Sequence, residues 1–178
     1  MDSLALAQLA RAIGRTAEAT TLQQRADTMM ALIEDHLWDE ASGIYVNKIP
    51  DGRWNHRIAP TSFYAMQTNG STSTRVERMI RGWLMNSSHF AITLKGDHVG
   101  NSNANWWGLP SIEQQDPAFQ SLGYWRGYVW GPMAQLTYWG LQNYAHVPAA
   151  AAAKAALCKQ MNGMMLEQWR KHGYICGA

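Results

Sequence analysis

The sequence predicts an all-α chain in which helices alternate with long connecting loops. Apolar residues recur at helical spacing over most of the 178 residues, and no long stretch alternates apolar and polar side chains as a half-buried strand does. Glycine, proline and asparagine interrupt the periodic segments where helices are expected to end. We therefore expect antiparallel helix pairs within one domain that covers residues 1–178.

Two helices are predicted at the start of the chain. An apolar stripe runs over residues 4–13 and ends at Gly14, and the same pattern repeats over residues 17–38. Residues 39–55 are rich in turn formers, and their β-prone segment 44–46 predicts a loop with a short extended piece.

The middle of the chain combines helical segments with a long loop. Helical character resumes near Thr61 and again from Ser71, where Thr74 and Glu77 fit a capping box. Residues 86–123 are then predicted to form a long irregular connection, because they contain several glycines and prolines. A loop of this length in a compact domain usually carries function.

Two further helices are predicted over residues 125–144 and 148–171. The second begins with Pro148 in its first turn and continues through the alanine-rich segment 149–156. About six helices are thus predicted along the chain.

Composition and charge exclude several classes of function. The 15 basic and 13 acidic residues give a formal net charge of +2 and are interspersed, so the chain lacks the basic tract that nucleic-acid binding needs. No apolar run approaches the roughly 20 residues of a membrane span. We expect a soluble chain without a targeting segment, which leaves the compartment open between the cytoplasm and the secretory lumen.

Cysteine usage predicts neither a disulfide framework nor a metal site. Cys158 and Cys176 are the two cysteines, and neither has a second Cys or a His at metal-ligand spacing. No metal and no cofactor is therefore expected.

The most informative segment surrounds Arg126. It places Tyr124, Trp125 and Trp130 close to a guanidinium, and Gly127 follows directly. An indole face covers the C–H face of a pyranose, a guanidinium donates paired hydrogen bonds to hydroxyls, and glycine lets the backbone approach a ligand. The alternative interpretation is a tryptophan-rich helix start that packs in a core.

Five separated elements around this segment resemble glycoside hydrolase family 63, which contains mannosyl-oligosaccharide glucosidases and bacterial glucosyl- or mannosylglycerate hydrolases. They occur in order at residues 109–113, 116–119, 124–127, 130–133 and 140–144. The resemblance implies an (α/α)6 toroid. Because twelve helices need roughly twice this length, we expect the C-terminal part of an incomplete ring, built of antiparallel helix pairs.

The resemblance also implies a reaction for the full-length protein, the inverting hydrolysis of an α-linked glucoside or a similar sugar. That reaction needs one carboxylic acid and one carboxylate base. In the family the acid corresponds to a position before Met1 and the base to a position after Ala178, so no catalytic residue is assigned within this chain. The substrate-binding residues that we predict are Tyr124, Trp125, Arg126, Gly127, Trp130 and Asp116.

Two of the candidate groups have structural alternatives. Asp116 precedes Pro117, and a turn-shaping role is favoured over contact with a sugar hydroxyl. Trp106 and Trp107 could add a sugar platform or anchor the long loop to the core, and the anchor is slightly favoured.

Three interpretations of the function stay open. The chain is the carbohydrate-binding wall of a family 63-like hydrolase, or a non-catalytic helical module that binds a carbohydrate or a partner, or part of another toroid enzyme such as trehalase. An incomplete ring is also expected to expose apolar helix faces, and such faces promote association.

Overall fold

The computed structural model describes residues 2–92, 108–121 and 123–175. Its backbone divides into two compact units, Met1–Trp38 and Asp39–Ala178. The described residues are mostly helical, which confirms the all-α prediction. That the whole chain forms one domain stays a prediction, and each unit is described by itself.

The first unit is a helical hairpin. Helices α1 (Asp2–Ala12) and α2 (Thr16–His36) pack against each other, and Gly14 reverses the chain between them with a left-handed φ of +77°. This hairpin confirms the predicted helix pair.

The buried residues of the hairpin are small, and several of its large apolar residues are exposed. The buried positions are alanines, namely Ala7, Ala10, Ala19 and Ala26. By contrast, Leu6, Leu9 and Ile13 are at least half exposed, and their spacing places them on one face of α1 and its C-terminal end. An apolar stripe on this hairpin therefore faces away from the contact between the two helices.

Short strands occupy much of the turn-rich region. Strand β1 (Trp38–Asp39) spans the boundary of the units, and β2 (Ile44–Tyr45), β3 (Asn47–Lys48) and β4 (Trp54–Asn55) follow. Strands β3 and β4 are antiparallel, with Asn47 opposite Asn55 and Lys48 opposite Trp54. The predicted extended piece at 44–46 thus corresponds to β2 and the residue after it.

Asp39 organises the turn that precedes β2. Its carboxylate accepts hydrogen bonds from the backbone N–H groups of Ala41 and Ser42 and from the Ser42 hydroxyl. The hydroxyl, helped by the two N–H groups, holds the pKa of Asp39 below its ordinary value, although partial burial acts in the opposite direction.

The helices of the second unit begin with a 3₁₀ helix, Pro60–Thr68, followed by α3 (Ser73–Met79), which continues as a π-helical turn, Ile80–Leu84. The predicted capping box at Thr74 is displaced. The helix is capped instead by Thr72, whose hydroxyl accepts a hydrogen bond from the backbone N–H of Arg75 at 3.2 Å. Thr74 itself lies inside the helix.

Helices α4 (Gly131–Asn143) and α5 (Pro148–His172) pack against each other. Helix α5 confirms the prediction and ends at Gly173, which has a φ of +72°. Helix α4 begins six residues later than the predicted start at Trp125. Its first turn contains Pro132, which lacks an N–H and suits that position, whereas the preceding residues form a turn.

Helix α4 also packs closely on the 3₁₀ helix. The side-chain amide of Asn143 donates hydrogen bonds to the carbonyl oxygens of Met66 and Gln67. At the end of α4, the Tyr144 hydroxyl donates to the carbonyl oxygen of Ser71 at 2.9 Å. Gly140 lies at this contact, where a Cβ atom would meet the Cβ of Met66 at 2.9 Å. The missing side chain therefore permits the close approach.

The described residues contain neither a membrane-crossing helix nor a cluster of metal ligands. None of their helices is both long and apolar enough to cross a membrane. No group of three or more His, Cys, Asp or Glu side chains within residues 2–92, 108–121 and 123–175 is arranged to hold a metal ion.

Candidate functional site

The segment between Gly123 and Trp130 forms a tight turn. The backbone N–H of Arg126 donates to the carbonyl oxygen of Gly123 at 2.6 Å. The indole N–H of Trp130 donates to the carbonyl oxygen of Tyr124 at 2.8 Å, which ties the end of the turn to its beginning. We call residues 123–130 the aromatic turn.

Three aromatic rings of this turn form one cluster. The indoles of Trp125 and Trp130 stack with ring centroids 4.6 Å apart and planes 22° apart. The Tyr124 ring meets both indoles edge-on, at 5.1 and 4.8 Å. Tyr124 is 63% exposed and Trp125 is 49% exposed. Trp130 therefore covers one face of Trp125, while about half of the Trp125 surface stays exposed.

The guanidinium of Arg126 lies against Gly123. A Cβ atom built on Gly123 would be 2.1 Å from a terminal nitrogen of Arg126 and 2.8 Å from its Cζ. Glycine at this position therefore leaves the space that the guanidinium occupies. Arg126 is exposed, so its hydrogen-bond donors are accessible beside the aromatic cluster.

Pro110 and Ser111 belong to a neighbouring segment that supports the aromatic turn through backbone pairing and hydrogen bonds. Ser111 is buried, and its hydroxyl oxygen accepts a hydrogen bond from the Gly127 N–H at 3.0 Å. Its own N–H donates to the carbonyl oxygen of Tyr128 at 2.9 Å, and Pro110 forms an antiparallel bridge with Val129. Gly127 has a φ of +119°, a conformation that favours glycine.

The segment that contains Ser111 is itself anchored through Glu113. The backbone N–H of Glu113 donates to the carbonyl oxygen of Ile58 at 3.0 Å. Its buried carboxylate lies 2.7 Å from Nδ1 of His89, and the imidazole packs on the Trp83 ring with centroids 4.2 Å apart. The Trp83 N–H in turn donates to the carbonyl oxygen of Ser42.

Asp116 forms contacts of the turn-shaping kind. Its carboxylate accepts a hydrogen bond from the backbone N–H of Ala118 at 2.8 Å and lies 3.3 Å from a guanidinium nitrogen of Arg57. The Asp116 side chain is almost fully buried, whereas that of Arg57 is largely exposed. The predicted contact of Asp116 with a sugar hydroxyl stays a prediction.

The structure thus brings five of the six predicted binding residues into one turn, and Asp116 lies in the segment that supports it. Sequence reasoning missed Ser111 as a support for the turn, and it missed the pairing of His89 with Glu113. Those partners are 16 and 24 residues apart, and no local pattern marks them. Trp106 and Trp107 lie outside the described residues.

A separate cavity of about 270 Å³ lies between α4 and α5. Apolar side chains such as Leu157 and Met161 dominate its lining, with Gln135 and Asn162 as polar members. None of the six predicted binding residues lines this cavity. The exposed Cys158 does so.

The aromatic turn combines exposed aromatic rings with an accessible guanidinium. Exposed aromatic faces can cover the apolar C–H face of a sugar ring. A guanidinium beside them can donate several hydrogen bonds in a fixed, planar arrangement. The buried hydrogen bond between Gly127 and Ser111, and the one from the Ser111 N–H to the carbonyl oxygen of Tyr128, lie within the same turn as these groups.

Comparison with known proteins gives a family match. The family model "Mannosylglycerate hydrolase MGH1-like glycoside hydrolase domain" matches residues 1–170. No curated protein matches the sequence significantly.

Solved structures share the fold at low sequence identity. A sialidase has a TM-score of 0.71 at 18% identity, over 98% of this chain and 15% of its own. Neutral trehalase Nth1 from Saccharomyces cerevisiae has a TM-score of 0.65 at 17% identity, over 88% of this chain and 26% of its own.

The family 63 mannosylglycerate hydrolase from Thermus thermophilus, in complex with glucose, has a TM-score of 0.64 at 19% identity. The match covers 93% of this chain and 36% of the hydrolase. At these identities the likeness shows the fold, which is of the (α/α)6 toroid glycosidase type. The chain spans between 15% and 36% of the length of these three proteins.

Proposed function

Because the chain belongs to the family of mannosylglycerate hydrolase MGH1-like glycoside hydrolase domains, we propose that the aromatic turn is the carbohydrate-binding wall of a glycoside hydrolase. Tyr124, Trp125 and Trp130 provide the stacking surface, and Arg126 donates hydrogen bonds to hydroxyl or carboxylate oxygens. The full-length protein hydrolyses an α-linked glucoside or a similar sugar with inversion.

The observation that carries this proposal is the exposure of the aromatic cluster beside an accessible guanidinium. Large aromatic side chains that only fill a core become buried, yet Tyr124 and Trp125 keep about half or more of their surface exposed. They are also held in a defined arrangement by ring stacking and by the hydrogen bond from Trp130. A fixed, exposed aromatic surface is what sugar stacking requires.

Binding of single sugars to the 178-residue chain tests the proposal. Glucose and mannose are the first ligands, and glycerol at equal concentration controls for solvent effects. The indole N–H signals in NMR spectra report the site, with those of Trp125 and Trp130 assigned by single substitutions to Phe. We expect sugar-dependent shifts of these two signals, with a dissociation constant of about 1 mM or weaker, because one ring makes few contacts.

Arg126→Ala separates a binding role from a packing role. Loss of a charged donor costs about 1.5–3 kcal/mol, which corresponds to about 10- to 100-fold in affinity. The melting temperature should stay close to that of the unmodified chain because Arg126 is exposed. Arg53→Ala is the matched control, since Arg53 is also exposed and pairs with Asp51 on the β3–β4 turn.

Two results contradict the proposal. One is the absence of any sugar-dependent shift in the Trp125 and Trp130 signals. The other is a parallel fall of thermal stability and affinity in Arg126→Ala, which would favour a core-packing role for the turn.

A further inference from the structure

Ser111 occupies the central point of contact between the aromatic turn and the segment that supports it. Ser111 is 2% exposed, and its hydroxyl and its backbone N–H both form hydrogen bonds with the turn. The hydroxyl accepts from the Gly127 N–H, and the Ser111 N–H donates to Tyr128. One residue thus holds the peptide unit before Gly127 and the peptide unit after Tyr128, on either side of the 127–128 peptide.

The position of these two peptide units determines where the binding groups lie. Arg126 directly precedes Gly127, and Trp130 follows Tyr128 by two residues. Gly127 has a φ of +119°. Glycine adopts positive and negative φ about equally readily, so its own backbone preference does not fix the conformation of the turn at this residue. A buried hydrogen bond to Gly127 can select it.

We propose that Ser111 is a positioning residue for the aromatic turn, acting through the Gly127 N–H to hold Arg126 and the stacked indoles in their binding arrangement. The proposal rests on the proposed sugar-binding function for its effect on affinity. The effect on the indoles does not depend on that function. Because the Ser111 hydroxyl is buried, we assign it a role in holding the turn and not in direct contact with a sugar.

The Ser111→Ala variant removes the hydroxyl acceptor and leaves the Gly127 N–H without this partner. Near-ultraviolet circular dichroism of the indoles is the structural readout, because stacked rings in a fixed arrangement produce a signal that mobile rings lose. The contribution of the stacked pair is defined by the difference between the unmodified chain and Trp125→Ala. Sugar affinity and the melting temperature are measured on the same samples.

We expect Ser111→Ala to lose most of the signal that Trp125→Ala loses and to bind sugar about tenfold more weakly. Ser111→Cys keeps a weak acceptor at the same place and should recover part of both. Ser121→Ala is the matched control. The Ser121 hydroxyl lies in the same segment but donates to the carbonyl oxygen of Ala118, so both readouts should stay unchanged.

Gly127→Ala is a second variant, at the residue whose N–H donates to the Ser111 hydroxyl. A side chain is strained at a φ of +119°, so this variant should reproduce the loss of indole signal. If Ser111→Ala does not fold, Ser111→Cys decides the question: loss of part of the indole signal supports the positioning role, and an unchanged indole signal overturns it.

The outcomes separate this proposal from the proposed function. A folded Ser111→Ala that keeps both the indole signal and the sugar affinity overturns the positioning role and leaves sugar binding intact. Loss of the indole signal in a chain that binds no sugar supports the positioning role and overturns the proposed function.

Discussion

Gly140→Ala tests how closely α4 packs on the 3₁₀ helix Pro60–Thr68. The new Cβ would lie 2.9 Å from the Cβ of Met66 and 3.4 Å from the carbonyl oxygen of Phe63. Met66 and Phe63 are fully buried. The closest atom is attached directly to the backbone, so a side-chain rotation cannot move it away, and one of the two elements must shift.

Two opposing effects set the expected loss of stability. Replacing glycine by alanine inside a helix gains about 1 kcal/mol from helix propensity. Inserting a methyl group into a packed core costs typically about 1–3 kcal/mol, and the rigid contact with Met66 favours the upper part of that range. We therefore expect Gly140→Ala to lower the free energy of unfolding by about 1–2 kcal/mol. For a chain of this size each kcal/mol lowers the melting temperature by about 2–4 °C.

Urea titration and thermal melts monitored by far-ultraviolet circular dichroism measure this loss. Gly82→Ala is the matched control, because Gly82 lies in the π-helical turn and has no atom within 4 Å of the added Cβ. It should be neutral or more stable. Equal stability of Gly140→Ala and Gly82→Ala would refute the close packing of α4 on the 3₁₀ helix.

Three further predictions concern other parts of the chain. Gly123→Ala keeps Arg126 but displaces its guanidinium, so sugar affinity measured by NMR titration should fall toward that of Arg126→Ala while the melting temperature changes little; unchanged affinity would contradict the placement of the guanidinium. Asp39→Asn should destabilise the chain by about 1–3 kcal/mol at pH 7. The Ser42 hydroxyl lowers the folded-state pKa of Asp39. The stability that the ionised carboxylate contributes is therefore present above the unfolded pKa of about 3.9 and is lost as the pH falls through the folded pKa. The free energy of unfolding of Asp39→Asn should consequently depend less on pH below about pH 4 than that of the unmodified chain. Leu9→Glu places a charge in the exposed stripe of α1 and should reduce any self-association seen by analytical ultracentrifugation, whereas an unchanged oligomer would exclude this stripe as the contact.

The sequence predicted helices well where local chemistry determines them. Helix α5 begins at Pro148 and is carried by alanines, both of which act within the helix itself. The last helix pair was predicted to begin at Trp125, six residues before the observed start of α4 at Gly131. What stops the helix there is the left-handed Gly127 and the bridge between Val129 and Pro110, and the bridge is a tertiary contact.

The hairpin of α1 and α2 shows a similar limit. The apolar stripe of residues 4–13 predicted a helix and its end, yet the contact between the helices uses Ala7 and Ala10 while Leu9 is exposed. Alanines allow two helices to approach closely. Periodicity identifies apolar residues, but it does not say which of several apolar surfaces a neighbouring element covers.

The candidate site likewise combines features that the local sequence determines with features that depend on contacts between distant residues. The binding groups that we propose are close in sequence, so Trp125, Arg126 and Trp130 could be selected as candidates from one short segment. Their arrangement depends on partners far along the chain, namely Ser111 for the turn and Ile58 for the segment that contains Ser111. Such partners are selected by the folded backbone, because a buried N–H must find an acceptor wherever the fold supplies one. We therefore expect the sugar affinity that we propose for the aromatic turn to be sensitive to substitutions at these distant positions, and not only to those in the turn itself.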